Sequence, residues 1–426
     1  MIKRSALGLA LALIVAGCAF FATARPALAQ PAATSSGSVY LEQRVTALPA
    51  AALLARDPRQ LLDPRRQQVA KDRAFMRRML FLLGLLLPAL ALVSLWQSGR
   101  SAMLRDAIMR RVANRIAARF VFGAAISTVA ALAVLPAALW SYRLAVAYEM
   151  TPQPTVVWLR DALVLWAIAA CSIGLLTAFV YTLVDRTRLW YVYAAIGLFG
   201  FTLVGSVIEP VVVAPVFGAM RPVGALLAAT LDRLGAGAHA EAVTFLVDDA
   251  PRRTIATGRI EGIGPTERIV FSDTLIASAT TGEITFVAAR ELGHRERGDV
   301  LRLAIAWTIA LILCVAVAVA VADRIRFRRD DDSLSRLPLV GALSAVVALA
   351  ILPAYNAYSR TIEANADLYA LGLTGDRASA VRELVRVGDE SLSPLCPSRF
   401  TRLYLLSHPS IGSQIALILG RPDPCP

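Results

Sequence analysis

Six long apolar runs, 79–96, 118–140, 162–184, 190–208, 303–322 and 337–357, all uncharged except for Arg119, alternate with polar segments along the 426-residue chain. Each approaches the ~20 residues that an α-helix needs to cross a bilayer core. A seventh run follows Lys3 and Arg4 and reaches Phe21. The stretch 209–301 breaks the pattern: Ala242–Val247 and Arg268–Phe271 are short β-type runs, and Thr254–Ile263 between them alternates with turn glycines. Thr280-x-x-Glu283 then has the form of a capping box, and the periodicity predicts one helix from Glu283 to Val300 entering the next span. The expected fold class is mainly α: a multispanning membrane protein of six or seven spans with a small α/β unit. Its expected parts are 1–29, a signal peptide or first span; 30–78, a polar surface segment; 79–208, four spans; 209–302, the α/β unit; 303–357, two spans; and 358–426, a tail longer than an anchor requires, expected to be the C-terminal part of the α/β unit.

Composition agrees, with 57 % hydrophobic and 18 % charged residues, where soluble domains carry about a quarter charged. The formal charge of +13 raises the question of nucleic acid, but the basic residues sit in short segments between apolar runs, and Lys3 and Lys71 are the only lysines. No basic stripe with interleaved aromatics appears, so nucleic acid is not an expected partner; the lipid bilayer is. Loop 97–117 carries Arg100, Arg105, Arg110, Arg111 and Arg115, and loop 323–336 carries Arg324, Arg326, Arg328, Arg329 and Arg336, whereas 141–161 holds only Arg143 and Arg160. The positive-inside rule puts both Arg-rich loops in the cytoplasm and the α/β unit outside, periplasmic in a bacterial inner membrane. A periplasmic tail would let Cys396 and Cys425 oxidise to a disulfide. At the N-terminus, Ala27-Leu28-Ala29 fits a cleaved signal, Val15-Ala16-Gly17-Cys18 resembles a lipoprotein box, and a retained span remains the third reading.

Arg290-Glu291-Leu292-Gly293-His294 lies in the helix that precedes the fifth of the six runs. With His at its first position it would be the H-E-x-x-H zinc helix, in which ligands at i and i+4 share a face and the Glu between them serves as base. A lone E-x-x-H is a weak signal. After the last run come Glu363-Ala364-Asn365-Ala366-Asp367 and, in the tail, Ser407-His408-Pro409-Ser410. Without further context Glu363 and Asp367 read as a solvated face, His408 as a loop residue, and His239 as exposed in a Gly/Ala linker. Together with Tyr148–Asp161, Glu209-Pro210, Ala214-Pro215-Val216-Phe217 and Arg268-Ile269-Val270-Phe271-x-Asp273-Thr274-Leu275, these motifs resemble the integral-membrane zinc metalloendopeptidases of the CaaX prenyl protease type 1 family, from about residue 79 onward.

The resemblance implies zinc as cofactor, His294 and Glu363 as metal ligands, Glu291 as general base, Asp367 as a carboxylate orienting a ligand imidazole, and His408 as a catalytic histidine that lines the site and steadies a tetrahedral intermediate. Two departures stand out. Arg290 occupies the first ligand position, and a guanidinium that never deprotonates cannot coordinate zinc. Ala256-Thr257-Gly258-Arg259 replaces the family's substrate-holding Ser-x-Asn-Ala edge strand. Two classes stay open: an active endopeptidase cutting membrane-associated or misfolded polypeptides, with His408 or His239 as substitute ligand, and a pseudopeptidase that keeps the chamber and binds a polypeptide, a lipid or a partner protein without cleaving. A transporter has no internal repeat to support it. In the family arrangement Arg290 is expected to pair with Asp367 or Glu363.

Overall fold

The computed structural model describes residues 45, 47–240, 243–248, 256–325 and 332–425. The alternatives for residues 1–29, Cys18 included, and the arginines at 326, 328 and 329 lie outside the described residues. Among the described residues six helices are long and apolar enough to span a membrane. They are α2 (Pro64–Gln97), α4 (Arg115–Ala147), α5 (Thr155–Arg186), α6 (Trp190–Ile208), α10 (Asp299–Ala322) and α11 (Leu337–Thr374). A π-turn at Glu209–Val213 and a last helical turn at Ala214–Phe217 prolong α6. The described chain forms an integral membrane protein, and a bilayer is its surroundings.

Contacts at the two ends of the bundle separate its sides. At one end α3 (Arg100–Arg111) meets the segment after α10: Ser101 Oγ donates to Ser335 O at 2.5 Å, and Arg105 lies 2.5 Å from Asp332. Both Arg-rich loops therefore share one side. At the other end the first turns of α2 meet the chain after the last span, where Arg66 donates from Nε to Asp389 Oδ1 at 2.7 Å and from NH2 to Asp389 O at 2.8 Å.

On that second side stands the α/β unit. A four-stranded sheet of order β1-β2-β4-β3 comprises β1 (Met220–Pro222), β2 (Thr244–Asp248), β3 (Gly258–Glu261) and β4 (Arg268–Ser272). β2 and β4 run parallel, the outer pairs antiparallel, and β3 is an edge. β1 escaped the sequence pattern, since three residues ending in a proline give no alternation to read. The unit also holds α7 (Ala225–Gly237), α8 (Asp273–Ser278), α9 (Thr281–Glu296), α12 (Arg377–Glu390), α13 (Arg399–Tyr404) and α14 (Ile411–Leu419).

α9 is the centre of this unit because it faces two cores. Ile284, Val287, Ala288 and Leu292 pack against the sheet residues Phe245, Val247, Ile269 and Phe271. Phe286 and Ala289 pack with Val381, Leu384 and Ile415 of α12 and α14. Val45, Leu53, Leu61 and Leu62 join the second core, so the segment expected to be polar surface contributes buried leucines, with α1 (Ala50–Ala55) lying on the unit. Each fully buried Leu or Phe contributes about 1.5–3 kcal/mol relative to exposure. The capping box forms: Thr280 N donates to Glu283 Oε2 at 2.7 Å, and Glu283 N to Thr280 Oγ1 at 3.4 Å.

The single helix expected from Glu283 to Val300 is two helices. α9 stops at Glu296, Gly298 takes φ +62°, and α10 starts at Asp299. Only glycine adopts that backbone conformation without a Cβ penalty, so the apolar periodicity continues across a real turn.

In the tail, Cys396 and Cys425 form a disulfide with Cα atoms 5.1 Å apart, as the sequence reading expected. It joins the α12–α13 loop to the segment after α14. Cross-linking across 29 residues is expected to stabilise by about 3–4 kcal/mol by the loop-entropy argument. A Cys396→Ser/Cys425→Ser variant is expected to melt several degrees lower in detergent, and non-reducing peptide mapping should show the linked pair in the wild type; free thiols at both positions would contradict the fold of the tail.

Candidate active site

Arg290, Glu291 and His294 project from the buried half of α9. α11 leaves the apolar part of its span and carries Glu363 and Asp367, four residues apart and hence on one face, toward them. The close approach of α9 and α11 depends on Gly293, where a Cβ would come within 2.9 Å of the Tyr369 ring. Arg360, one turn before Glu363, donates from NH1 to Arg402 O at 2.8 Å and to Leu406 O at 2.9 Å, fixing the loop that bears His408. The sequence-identified residues thus converge: Arg290, Glu291, His294, Glu363, Asp367 and His408 stand in one site. His239 does not join them; it is exposed in the turn after α7.

Arg290 NH1 lies 3.7 Å from Asp367 Oδ1, and its Nε lies 3.7 Å from Glu291 Oε1. The first of these is the expected ion pair. Burial disfavours the Arg290 charge, yet Asp367, Glu291, Glu383 and Glu363 together hold its pKa above the ordinary arginine value. Asp367 Oδ2 accepts from Gln414 Nε2 of α14 at 2.9 Å. Asp367 therefore meets the side chain at position 290, which is where the resemblance puts a ligand imidazole. The imidazole that does lie here, His294, is held by another carboxylate: its Nδ1 is 3.0 Å from Asp299 Oδ2, the first residue of α10. The turn at Gly298 makes that contact possible.

His294 Nε2 sits 3.5 Å from Glu363 Oε2, and His408 Nε2 sits 3.2 Å from Glu363 Oε1. Burial works against the charged form of His294, but the Glu363 and Asp299 hydrogen bonds and the Glu291 charge raise its pKa above the ordinary value. Glu291 is raised by burial, with Arg290 opposing. Its Oε2 accepts from the backbone N–H of Ile260 in β3 at 2.9 Å. Glu383 of α12 is buried with its Oε2 unpartnered, and burial pushes its carboxyl up to about 7 despite Arg290.

Sequence reasoning missed Asp299, Gln414 and Glu383. Asp299 carried a readable signal, a carboxylate beside a helix-breaking glycine five residues after His294; Gln414 and Glu383 carried none.

A metal fit fails on these side chains. Arg290 has no lone pair to offer, and among the described residues no three His, Cys, Asp or Glu side chains are grouped so as to hold a metal ion.

The site opens on a cavity of about 420 Å³ lined by Gly258, Arg290, Glu383, His408 and, from α2, Arg73 and Arg77. β3 forms part of its wall. A Cβ at Gly258 would fall 2.4 Å from Val287 Cγ1, so glycine lets the strand lie against α9. Chemically, the arrangement offers an extended chain a strand edge, buried carboxylates and two imidazoles.

Comparison with known proteins matches these features. Residues 258–421 match peptidase family M48, and residues 60–219 match the N-terminal region of the CAAX prenyl proteases, described as five membrane helices. An uncharacterized metalloprotease of Bacillus subtilis, YhfN, is 26 % identical over 369 residues, covering 84 % of this chain and 87 % of its own. CAAX prenyl protease 1 of Saccharomyces cerevisiae is 24 % identical over 256 residues, 54 % of this chain and 55 % of its own. The crystal structure of S. mikatae Ste24p superposes with a TM-score of 0.68 at 17 % identity, over 95 % of this chain and 98 % of that one, which shows the shared fold. The chain belongs to the integral-membrane, CAAX prenyl protease-like metalloproteases of peptidase family M48.

Proposed function

We propose that this chain is a pseudopeptidase of its family: it binds extended polypeptide in the chamber bordered by β3 and α2 without cleaving it, and a guanidinium stands where zinc would. The observation that carries this is Arg290 itself, 3.7 Å from both Asp367 and Glu291. A catalytic zinc normally needs three protein ligands, and the first is replaced by a permanent cation that also repels a second one. The Glu291 contact with Ile260 supports the reading, since the residue in the base position is engaged with backbone.

A second reading has one observation in its favour. His408 and His294 both reach Glu363, at 3.2 and 3.5 Å. Drawn together, the three would form a substitute ligand set for an active endopeptidase.

The proposed orientation places the α/β unit in the periplasm. Support comes from the Arg-rich segments facing each other at the opposite end of the bundle and from the Cys396–Cys425 bridge, which suits an oxidising compartment.

Zinc content distinguishes the two functional readings. Wild type is expected to purify with far less than one zinc per chain and not to cleave an unfolded test protein. Arg290→His is expected to take up about one zinc, completing the ligand number typical of a catalytic site. Stoichiometric zinc in the wild type, lost in His408→Ala, would establish the active reading.

A C-terminal reporter that works only in an oxidising compartment is expected to be active, and one that works only in the cytoplasm to be silent; the reverse pattern would invert the topology.

The Glu383 carboxyl gives a pH signature. Its pKa rises from 4.5 to about 7 on folding, so the folded state holds the proton that the unfolded state has lost. Stability should be full below pH 4.5 for this group and fall as pH climbs to about 7. Glu383→Gln should match wild type near pH 4.5 and exceed it at pH 8 by on the order of 2–3 kcal/mol, read as a higher melting temperature; equal melting at both pH values would rule out a neutral Glu383.

A further inference from the structure

Arg73 and Arg77 lie one turn apart on α2 and both line the chamber. Arg73 donates from NH1 to the carbonyl of Ser391 at 2.7 Å. Among the described residues neither guanidinium has a carboxylate within ion-pair distance, and Arg77 has no hydrogen-bond acceptor.

Their neighbours differ. Arg66, earlier on the same helix, pairs with Asp389 at 2.7 Å. Arg259 pairs with Glu261 at 2.5 Å and with Asp248 at 3.4 Å. Arg290 has Asp367 and Glu291. Two adjacent like charges disfavour each other, and with Arg77 exposed and Arg73 partly buried the pair faces the open cavity with no protein countercharge among the described residues. Topology signalling does not account for the pair, because it sits at the end of the bundle away from the Arg-rich loops.

We propose that Arg73 and Arg77 form a carboxylate-binding subsite of the chamber, taking either the free C-terminus or an acidic side chain of an extended polypeptide. The proposal rests on the peptide-binding reading above and adds to it the chemical group that is recognised. Guanidinium donors match a carboxylate in plane and can engage it through two parallel hydrogen bonds. The β3 wall of the same cavity offers a strand edge suited to main chain, the usual way a sheet takes up an extended peptide. A carboxylate attached to that main chain would offset one of the two charges and accept donors from both guanidiniums while the chain runs on past Gly258.

The test uses the full chain in a neutral detergent and three fluorescent peptides of one sequence without acidic residues: the free acid, the C-terminal amide, and the amide with one internal Asp. Anisotropy is expected to show the free acid or the Asp peptide, whichever carries the natural source of the charge, binding roughly tenfold more tightly than the plain amide. Arg77→Gln should erase that preference while leaving weak binding of the plain amide, and Arg77→Lys should retain part of it. Arg73→Gln should act likewise, with its melting temperature recorded because it also loses the Ser391 contact.

Equal affinity of the three peptides for wild type would overturn the subsite but leave peptide binding standing. Loss of the preference on adding phosphatidylglycerol, but not on adding phosphatidylcholine, would assign the pair to a lipid phosphate and also overturn it. If no peptide binds at all, the subsite and the peptide-binding reading fall together.

Discussion

Four carboxylates, Glu291, Glu363, Asp367 and Glu383, act electrostatically on the Arg290 guanidinium, and the geometry of the site follows from that charge balance. A buried anion without a partner is costly enough that it shifts its pKa or moves. In a zinc peptidase a dication answers this crowding; in this chain a monocation occupies the neighbouring position. The remainder falls on protons. The carboxylates around His294 raise its pKa above the ordinary imidazole value against the effect of burial, and burial pushes Glu383 up to about 7.

That balance can be struck only because two helices with unlike duties meet there. α11 is a membrane span over its first part and a scaffold for Glu363 and Asp367 over its last turns. α9 belongs wholly to the α/β unit and is clamped between two apolar cores. Gly293 permits their contact, Arg360 ties the His408 loop to α11, and the disulfide secures the chain on either side of α14. The bilayer anchors one partner and the apolar cores anchor the other, so the carboxylates cannot spread apart to relieve their repulsion. The guanidinium is what keeps this rigid arrangement tolerable.

Much of this was legible in the sequence because the signals are local. Span hydropathy, the Thr280–Glu283 capping box and the i, i+4 spacing of Glu363 and Asp367 each follow from a few consecutive residues. The Cys396–Cys425 pairing was legible as a consequence of topology. What could not be read depends on chain segments distant in sequence. The leucines at 53, 61 and 62 look like ordinary residues of a polar segment until α12 and α14 arrive beside them. Gln414 and Glu383 are unremarkable in their own helices and matter only because those helices pack on α9. The break at Gly298 hid inside an unbroken apolar period, and with it the role of Asp299.

Glu291 stands between Arg290 and the edge strand. A carboxylate works as a base on water when its lone pairs are free to face the water and its pKa suits the proton transfer. In this chain one oxygen accepts the Ile260 N–H and the other lies beside Arg290, so both are committed to the protein. The Ile260 contact also closes one N–H of the edge strand to an incoming main chain. A polypeptide laid along β3 must therefore displace Glu291 or dock on the adjoining residues 256–258. Position 290, the carboxylate of Glu291 and the Ile260 strand edge thus meet within one turn of α9 and its immediate contacts.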